Sequence, residues 1–180
     1  MPDIKSYNTI FLDRDGVINI ERPADYAKNI SEFIFIDGVL DAIAILSNKF
    51  EHIFIVTNQR GIGRGVMTME DLEKVHNYML DEIDKAGGRI SKIYFCTDTQ
   101  PVSINRKPNT GMAFKAMGDY PFVVFSKSIM VGNSRSDMEF GNKLGMYTVL
   151  VGDKYSKNDK IYKIVNAYYE NLYKFVLTLT

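Results

Sequence analysis

The sequence predicts an α/β protein: a Rossmann-like open parallel sheet with helices on both faces and no large cap domain. Three observations lead to it. Short apolar runs recur along the chain, helix-length amphipathic segments alternate with them, and polar or glycine-rich strings close the runs. A near-continuous apolar run suits a strand buried on both faces, as helices on either side of a parallel sheet require.

Strands are expected at Thr9–Leu12, His52–Thr57, Lys92–Phe95, Ser128–Val131 and Tyr147–Val151, where β-branched and aromatic residues dominate. Between them, Gly38–Asn48 sets Val39, Leu40, Ile43 and Leu46 on one helical stripe. Thr68 caps a helix running to Ala86, with Asp71 completing a box-like start and Gly87–Gly88 ending it. Further helices are expected over Gly111–Met117 and Ser136–Leu144, and a last one over Asp159–Leu177. No repeat or low-complexity linker interrupts the chain, so 1–180 reads as a single domain.

Composition narrows the function. Of 180 residues, 46% are hydrophobic and 24% charged, as in ordinary globular folds. Basic and acidic residues balance at 22 each, so no nucleic-acid partner is expected and a small anionic substrate must be met by local charge. One cysteine excludes an intrachain disulfide and fits a reducing compartment. The first apolar run is closed by Asp13, Arg14 and Asp15, unlike a signal peptide, and no run approaches the ~20 residues of a membrane span. A cytoplasmic protein with no membrane partner, monomeric or weakly homo-oligomeric, is expected.

Four strings carry chemistry, each directly after an expected strand or at a helix start. Asp13 and Asp15 can turn into one crevice once Gly16 breaks the strand. Two ionised carboxylates so close need a cation, and a hard divalent ion such as Mg2+ suits oxygen ligands. The bland alternative is a solvated Asp-Arg-Asp turn. Thr57 and Asn58, followed by Gly61, Gly63 and Gly65, offer donors to a phosphate, and Arg60 and Arg64 can bind a second anionic group. Arg106 and Lys107 precede a helix and can neutralise a phosphate in transfer. Asn133 and Asp137 can complete a metal shell, although Asp137 also suits a first helical turn for dipole reasons alone.

In this order the strings resemble the haloacid dehalogenase superfamily of phosphohydrolases, over roughly residues 10–151. More narrowly, Phe11-Leu12-Asp13-Arg14-Asp15-Gly16-Val17-Ile18-Asn19, Thr57-Asn58-Gln59-x-Gly61-Ile62-x-Arg64-Gly65 and Arg106-Lys107-Pro108-x-x-Gly111-Met112 resemble one branch. It holds heptose 1,7-bisphosphate 7-phosphatases and histidinol-phosphate phosphatases. The resemblance implies hydrolysis of a small sugar phosphate, heptose bisphosphate ahead of histidinol phosphate. It implies Asp13 as nucleophile and Asp15 as general acid and base. Mg2+ would lie on Asp13, the Asp15 carbonyl, Asn133 and Asp137. Thr57 and Asn58 would hold the phosphoryl group, Lys107 would join nucleophile to phosphate, and Arg106, Gln59 and Arg60 would face substrate. Residues 21–26 are weaker substrate candidates.

Two departures are visible. The branch usually has Gly-Asp where this chain has Gly132-Asn133, which implies weaker metal affinity. Many members also carry a cysteine-histidine zinc loop before the Arg-Lys-Pro string. Here Cys96 stands alone, so no zinc is expected and Cys96 packs at a strand end. His52 and His76 are expected in surface or packing roles. Asn133 alone raises a rival reading, a catalytically weak phosphate-binding protein.

Overall fold

The computed structural model describes residues 6–23 and 25–179. The five expected strands form as β1 Thr9–Leu12, β2 His52–Asn58, β3 Lys92–Cys96, β4 Ser128–Gly132 and β5 Tyr147–Val151. A sixth, β6 Ala167–Tyr169, joins the edge to give the order β3-β2-β1-β4-β5-β6. Every pairing is parallel.

The register explains why the apolar runs are continuous. On one face Ile10, Leu12, Ile53, Ile55, Ile129, Val131 and Val149 pack under α1 Val39–Lys49, α3 Met69–Lys85 and α6 Leu172–Val176. On the other, Phe11, Phe54, Val56 and Met130 meet α4 Gly111–Asp119 and α5 Arg135–Lys143. Side chains alternate between two apolar environments, so no polar alternation survives. The connections run outward from β1 in both directions. Its carboxyl end, beside those of β2 and β4, is therefore the crevice where such sheets bind ligands.

Local signals fixed the helix ends. Thr68 Oγ1 accepts from the Asp71 amide at 3.1 Å, and Asp71 Oδ2 accepts from the Thr68 amide at 2.8 Å. The glycine string folds as a single turn, α2 Arg60–Gly63, rather than as an open loop. No helix among the described residues is long and apolar enough to cross a membrane.

The long C-terminal helix expected over Asp159–Leu177 does not form. That stretch holds a short 3-10 turn at Lys160–Lys163, then β6, then α6. The reason is side-chain competition with helical backbone bonding. Asn166 Oδ1 accepts from the Thr148 amide and hydroxyl at 2.8 and 2.9 Å, which draws the chain against β5. The Ala167-Tyr168-Tyr169 run then pairs as an edge strand, which aromatic residues favour. Asn171 Oδ1 accepts from the Lys174 amide at 2.9 Å and caps a new helix.

Phe54 is fully buried, with ring centroids of Phe11, Tyr94 and Tyr120 at 5.2, 5.9 and 4.9 Å. Phe54→Ala is expected to cost about 3–5 kcal/mol in urea unfolding.

Candidate active site

The end of β1 is pinned when the Asp13 amide donates to Val131 O at 2.9 Å. The chain then turns through Gly16 at φ +85°, where a Cβ would fall 1.8 Å from Asn133 Nδ2. A glycine here lets the first and fourth strings touch. Arg14 folds inward instead of outward and is wholly buried. Its Nη2 donates to Asp15 Oδ1 at 3.0 Å, its Nη1 donates to His76 Nε2 at 3.2 Å, and it lies 5.7 Å from the Phe33 ring centroid. The solvated-turn alternative fails on this geometry.

Lys107 is the hub. It is 2% exposed, and its Nζ lies 2.9 Å from Asp13 Oδ1, 2.6 Å from Asp137 Oδ1 and 2.7 Å from Val56 O, to which it donates. Asn58 clamps the backbone of the same residue: its Nδ2 donates to Lys107 O at 3.2 Å, and its Oδ1 accepts from the Lys107 amide at 3.0 Å. Asp137 Oδ2 accepts from the Ser134 amide and hydroxyl at 3.0 and 2.5 Å. Both Asp137 oxygens thus serve protein donors, and Asp137 braces Lys107 without reaching the cavity wall. Gly132 makes room for it, since a Cβ there would fall 2.2 Å from Asp137 Cβ.

A cavity of about 400 Å3 opens above the hub. Asp13, Asp15, Thr57, Asn58, Arg60, Arg64, Arg106, Lys107 and Asn133 line it, so most residues marked by the sequence meet there. Gln59 is fully buried beneath the wall, donating through Nε2 to Asp15 Oδ2 and to Thr57 Oγ1, both at 2.9 Å. The opposite wall comes from Glu21, Arg22, Asp25 and Tyr26. Ala24 of that segment lies outside the described residues.

The electrostatics divide the two acids. Burial, then the neighbouring Asp137, push the Asp13 carboxyl up to about 7 against the pull of Lys107. Asp15 moves the other way. Burial raises it, but the Arg14 guanidinium and hydrogen bonds from Arg14, Asn19 and Gln59 hold it below the usual carboxylate range. Burial lowers Lys107, yet Asp13 and Asp137 overcome this and raise it, so it stays charged. Arg106 is lowered by burial and by its neighbour Arg60, a sign of crowded positive charge.

A hard cation fits the acid end. Among the described residues, the protein contacts to Asp13 all end on Oδ1, leaving Oδ2 without a partner beside the cavity. The Asn133 contact ends on Nδ2, leaving Oδ1. No cluster of three His, Cys, Asp or Glu side chains able to hold a metal occurs among the described residues. An oxygen-only set of one carboxylate, one amide and a backbone carbonyl matches Mg2+, which takes few protein ligands and completes its shell with water and phosphate.

Sequence reasoning missed the partner of His76, and it gave Glu21 only as a weaker substrate candidate, without its contacts to Asn133 and Lys154. His76 shares the buried stripe of α3 with Leu72, Val75 and Met79, so its inward direction was legible. Its contact with Arg14 depends on how that helix packs on the sheet.

This arrangement is that of a phosphoryl-transfer site, and comparison with known proteins agrees. A family model described as polynucleotide kinase 3 phosphatase matches residues 8–164. The chain belongs to the haloacid dehalogenase superfamily and is a phosphatase of the branch that holds the heptose bisphosphate phosphatases. It is 37% identical over 143 residues to D-glycero-beta-D-manno-heptose-1,7-bisphosphate 7-phosphatase of Neisseria meningitidis, covering 79% of this chain and 75% of that one. It is 34% identical over 154 residues to D-glycero-alpha-D-manno-heptose-1,7-bisphosphate 7-phosphatase of Campylobacter jejuni, covering 86% and 87%. Relatives of similar identity are thus named for opposite anomers. The structure of D,D-heptose 1.7-bisphosphate phosphatase from B. bronchiseptica, complexed with magnesium and phosphate, superposes with a TM-score of 0.83 at 28% identity, covering 96% and 97%.

His76 gives a pH prediction. Burial, then Arg14, depress its pKa to about 3, while the unfolded imidazole titrates near 6.5. Between these values the unfolded chain binds the extra proton, so His76 stabilises the fold at neutral pH and this contribution is lost as pH falls through that window. His76→Gln keeps an acceptor for Arg14 but cannot titrate. Urea unfolding from pH 7 to 4 is expected to fall less steeply in that variant than in the parent.

Proposed function

We propose that the chain removes the 7-phosphate of D-glycero-D-manno-heptose 1,7-bisphosphate through a covalent phosphate on Asp13. One observation carries this reading: Lys107 Nζ holds Asp13 Oδ1 at 2.9 Å and leaves Oδ2 beside a cavity lined by phosphate donors. In this reading Oδ2 attacks phosphorus and the bond from phosphorus to the sugar oxygen breaks. Asp15, held ionised in the free site, must first take up a proton from solvent, which it then delivers to the leaving alkoxide. Asp15 then takes a proton from water, whose oxygen attacks phosphorus and frees Asp13. The Thr57 hydroxyl and the second hydrogen of Asn58 Nδ2 bind phosphoryl oxygens. Lys107 neutralises charge on the group in transfer.

Mg2+ would be held by Asp13, the Asp15 carbonyl and Asn133, with Asp137 acting through Lys107. When bound, the ion supplies positive charge that favours ionised Asp13 and offsets the charge of the phosphate. The donors gathered at Cys96 are the Asp98 carboxylate at 3.7 Å and the Ser103 hydroxyl at 3.8 Å. That set does not suit zinc, and we infer that the loop works without it. The single cysteine supports a cytoplasmic setting.

Arg60, Arg64 and Arg106 favour the bisphosphate over histidinol phosphate. A second phosphate meets three guanidinium groups well, whereas the ammonium of histidinol phosphate would be repelled.

Phosphate release from the heptose bisphosphate, with and without Mg2+, tests the reading. Asp13→Asn is expected to lower kcat by about a thousandfold or more. Release unchanged in that variant would defeat the proposal. Arg60→Ala is expected to raise KM for the bisphosphate about tenfold while leaving that for an aryl monophosphate within about twofold. Enzyme stripped with chelator is expected to recover fully on Mg2+ alone.

A further inference from the structure

The fourth string lacks the aspartate its branch usually has, and the structure contains a device that compensates. Asn133 is 5% exposed and sits between Gly16, the cavity and Glu21. Its Nδ2 donates to Glu21 Oε2 at 2.8 Å. Glu21 is held in turn by Lys154, whose Nζ donates to its two oxygens at 2.8 and 3.0 Å. These residues are far apart in sequence: Glu21 follows the first string, and Lys154 follows β5.

An amide can present either its nitrogen or its oxygen to a neighbour, and only the oxygen can bind a cation. An aspartate has no such ambiguity, which is what Asn133 gives up. An ionised carboxylate only accepts, so Glu21 must face Nδ2 and leave Oδ1 as the free atom. The close approach of Gly16 keeps the amide from moving away, since a Cβ at that residue would fall 2.5 Å from Asn133 Cγ. We propose that Glu21, anchored by Lys154, is a positioning residue that fixes the Asn133 amide with its oxygen toward the cation site. This rests on the phosphatase reading above and assigns Glu21 a task other than substrate contact. The tether also keeps the Glu21 charge paired with an ammonium, so it does not stand as a loose third acid beside Asp13 and Asp15.

Isothermal titration of the full chain with Mg2+ alone tests this, with no substrate present. Glu21→Ala is expected to weaken Mg2+ binding about tenfold, the scale on which partners of metal ligands act. Glu21→Gln, whose amide can donate as well as accept, no longer dictates which atom Asn133 turns toward it and is expected to weaken Mg2+ binding about as much as Glu21→Ala. Lys154→Met, which leaves the loop sequence intact, is expected to fall between the parent and Glu21→Ala. A purely structural role would lower the melting temperature of Glu21→Ala and leave its Mg2+ affinity unchanged, which overturns the proposal. In the Asn133→Asp background, where the side chain has no such ambiguity, Glu21→Ala is expected to leave Mg2+ affinity within about twofold. The same tenfold loss there overturns the proposal too, because charge rather than orientation would then be at work. A parent chain that neither binds Mg2+ nor releases phosphate would instead remove the phosphatase reading itself.

Discussion

The buried ammonium of Lys107 is the interaction on which the rest of the site depends. It ties the end of β1 through Asp13, the end of β2 through Val56 O, and the start of α5 through Asp137. A lysine this deep is tolerated only because two carboxylates and a carbonyl replace its water. Removing any of these partners leaves an uncompensated charge in the sheet crevice, so the hub enforces one arrangement of three chain segments. It also sets the chemistry. Burial, then the charge of Asp137, keep Asp13 raised to about 7 against the pull of Lys107, a group that a phosphate-bound cation can readily ionise. Asp15, two residues on, is held ionised by Arg14 and its neighbours. The free site therefore holds the proton on the opposite acid from the one that must donate it, and a bound cation and phosphate have to reverse that balance.

Much of this was legible in the sequence for a physical reason. A parallel sheet buried on both faces leaves continuous apolar runs, and its ligand crevice must lie where those runs end. Asp13 and Asn133 directly follow their strands and Thr57 lies near the end of its own, and this made the crevice visible in the sequence. The hidden parts depend on tertiary partners. The resemblance alone marks Gln59 as a substrate contact, and its burial under the wall, where it donates to Asp15 and Thr57, depends on packing that no spacing reveals. The carboxylate of Asp137 and its place in the fourth string mark it as a metal ligand; its contacts with Lys107 and Ser134 depend on how α5 sits against β4. The C-terminal segment has helical spacing, and three asparagine and threonine side chains redirect it into an edge strand.

The cavity lining carries charge of both signs: Asp13, Asp15 and Asn133 share it with Arg60, Arg64 and Arg106, and the arginines crowd one another. The segment between β1 and α1 forms the facing wall without building a separate lid domain, held by the bridges of Asn19 with Asp15 and Phe35. Such a site recognises its substrate by where anionic groups fall along an open trough. That suits a small sugar bearing phosphate at both ends.

The most direct measurement is chemical trapping of the acyl phosphate. Enzyme mixed with heptose bisphosphate, quenched in acid and reduced with borohydride, converts a phosphorylated aspartate to homoserine, which peptide mass spectrometry can locate. The account predicts homoserine at position 13 and at no other carboxylate. Phosphate release with Asp13 unmodified, or reduction at Asp15 or Asp137 instead, would contradict it.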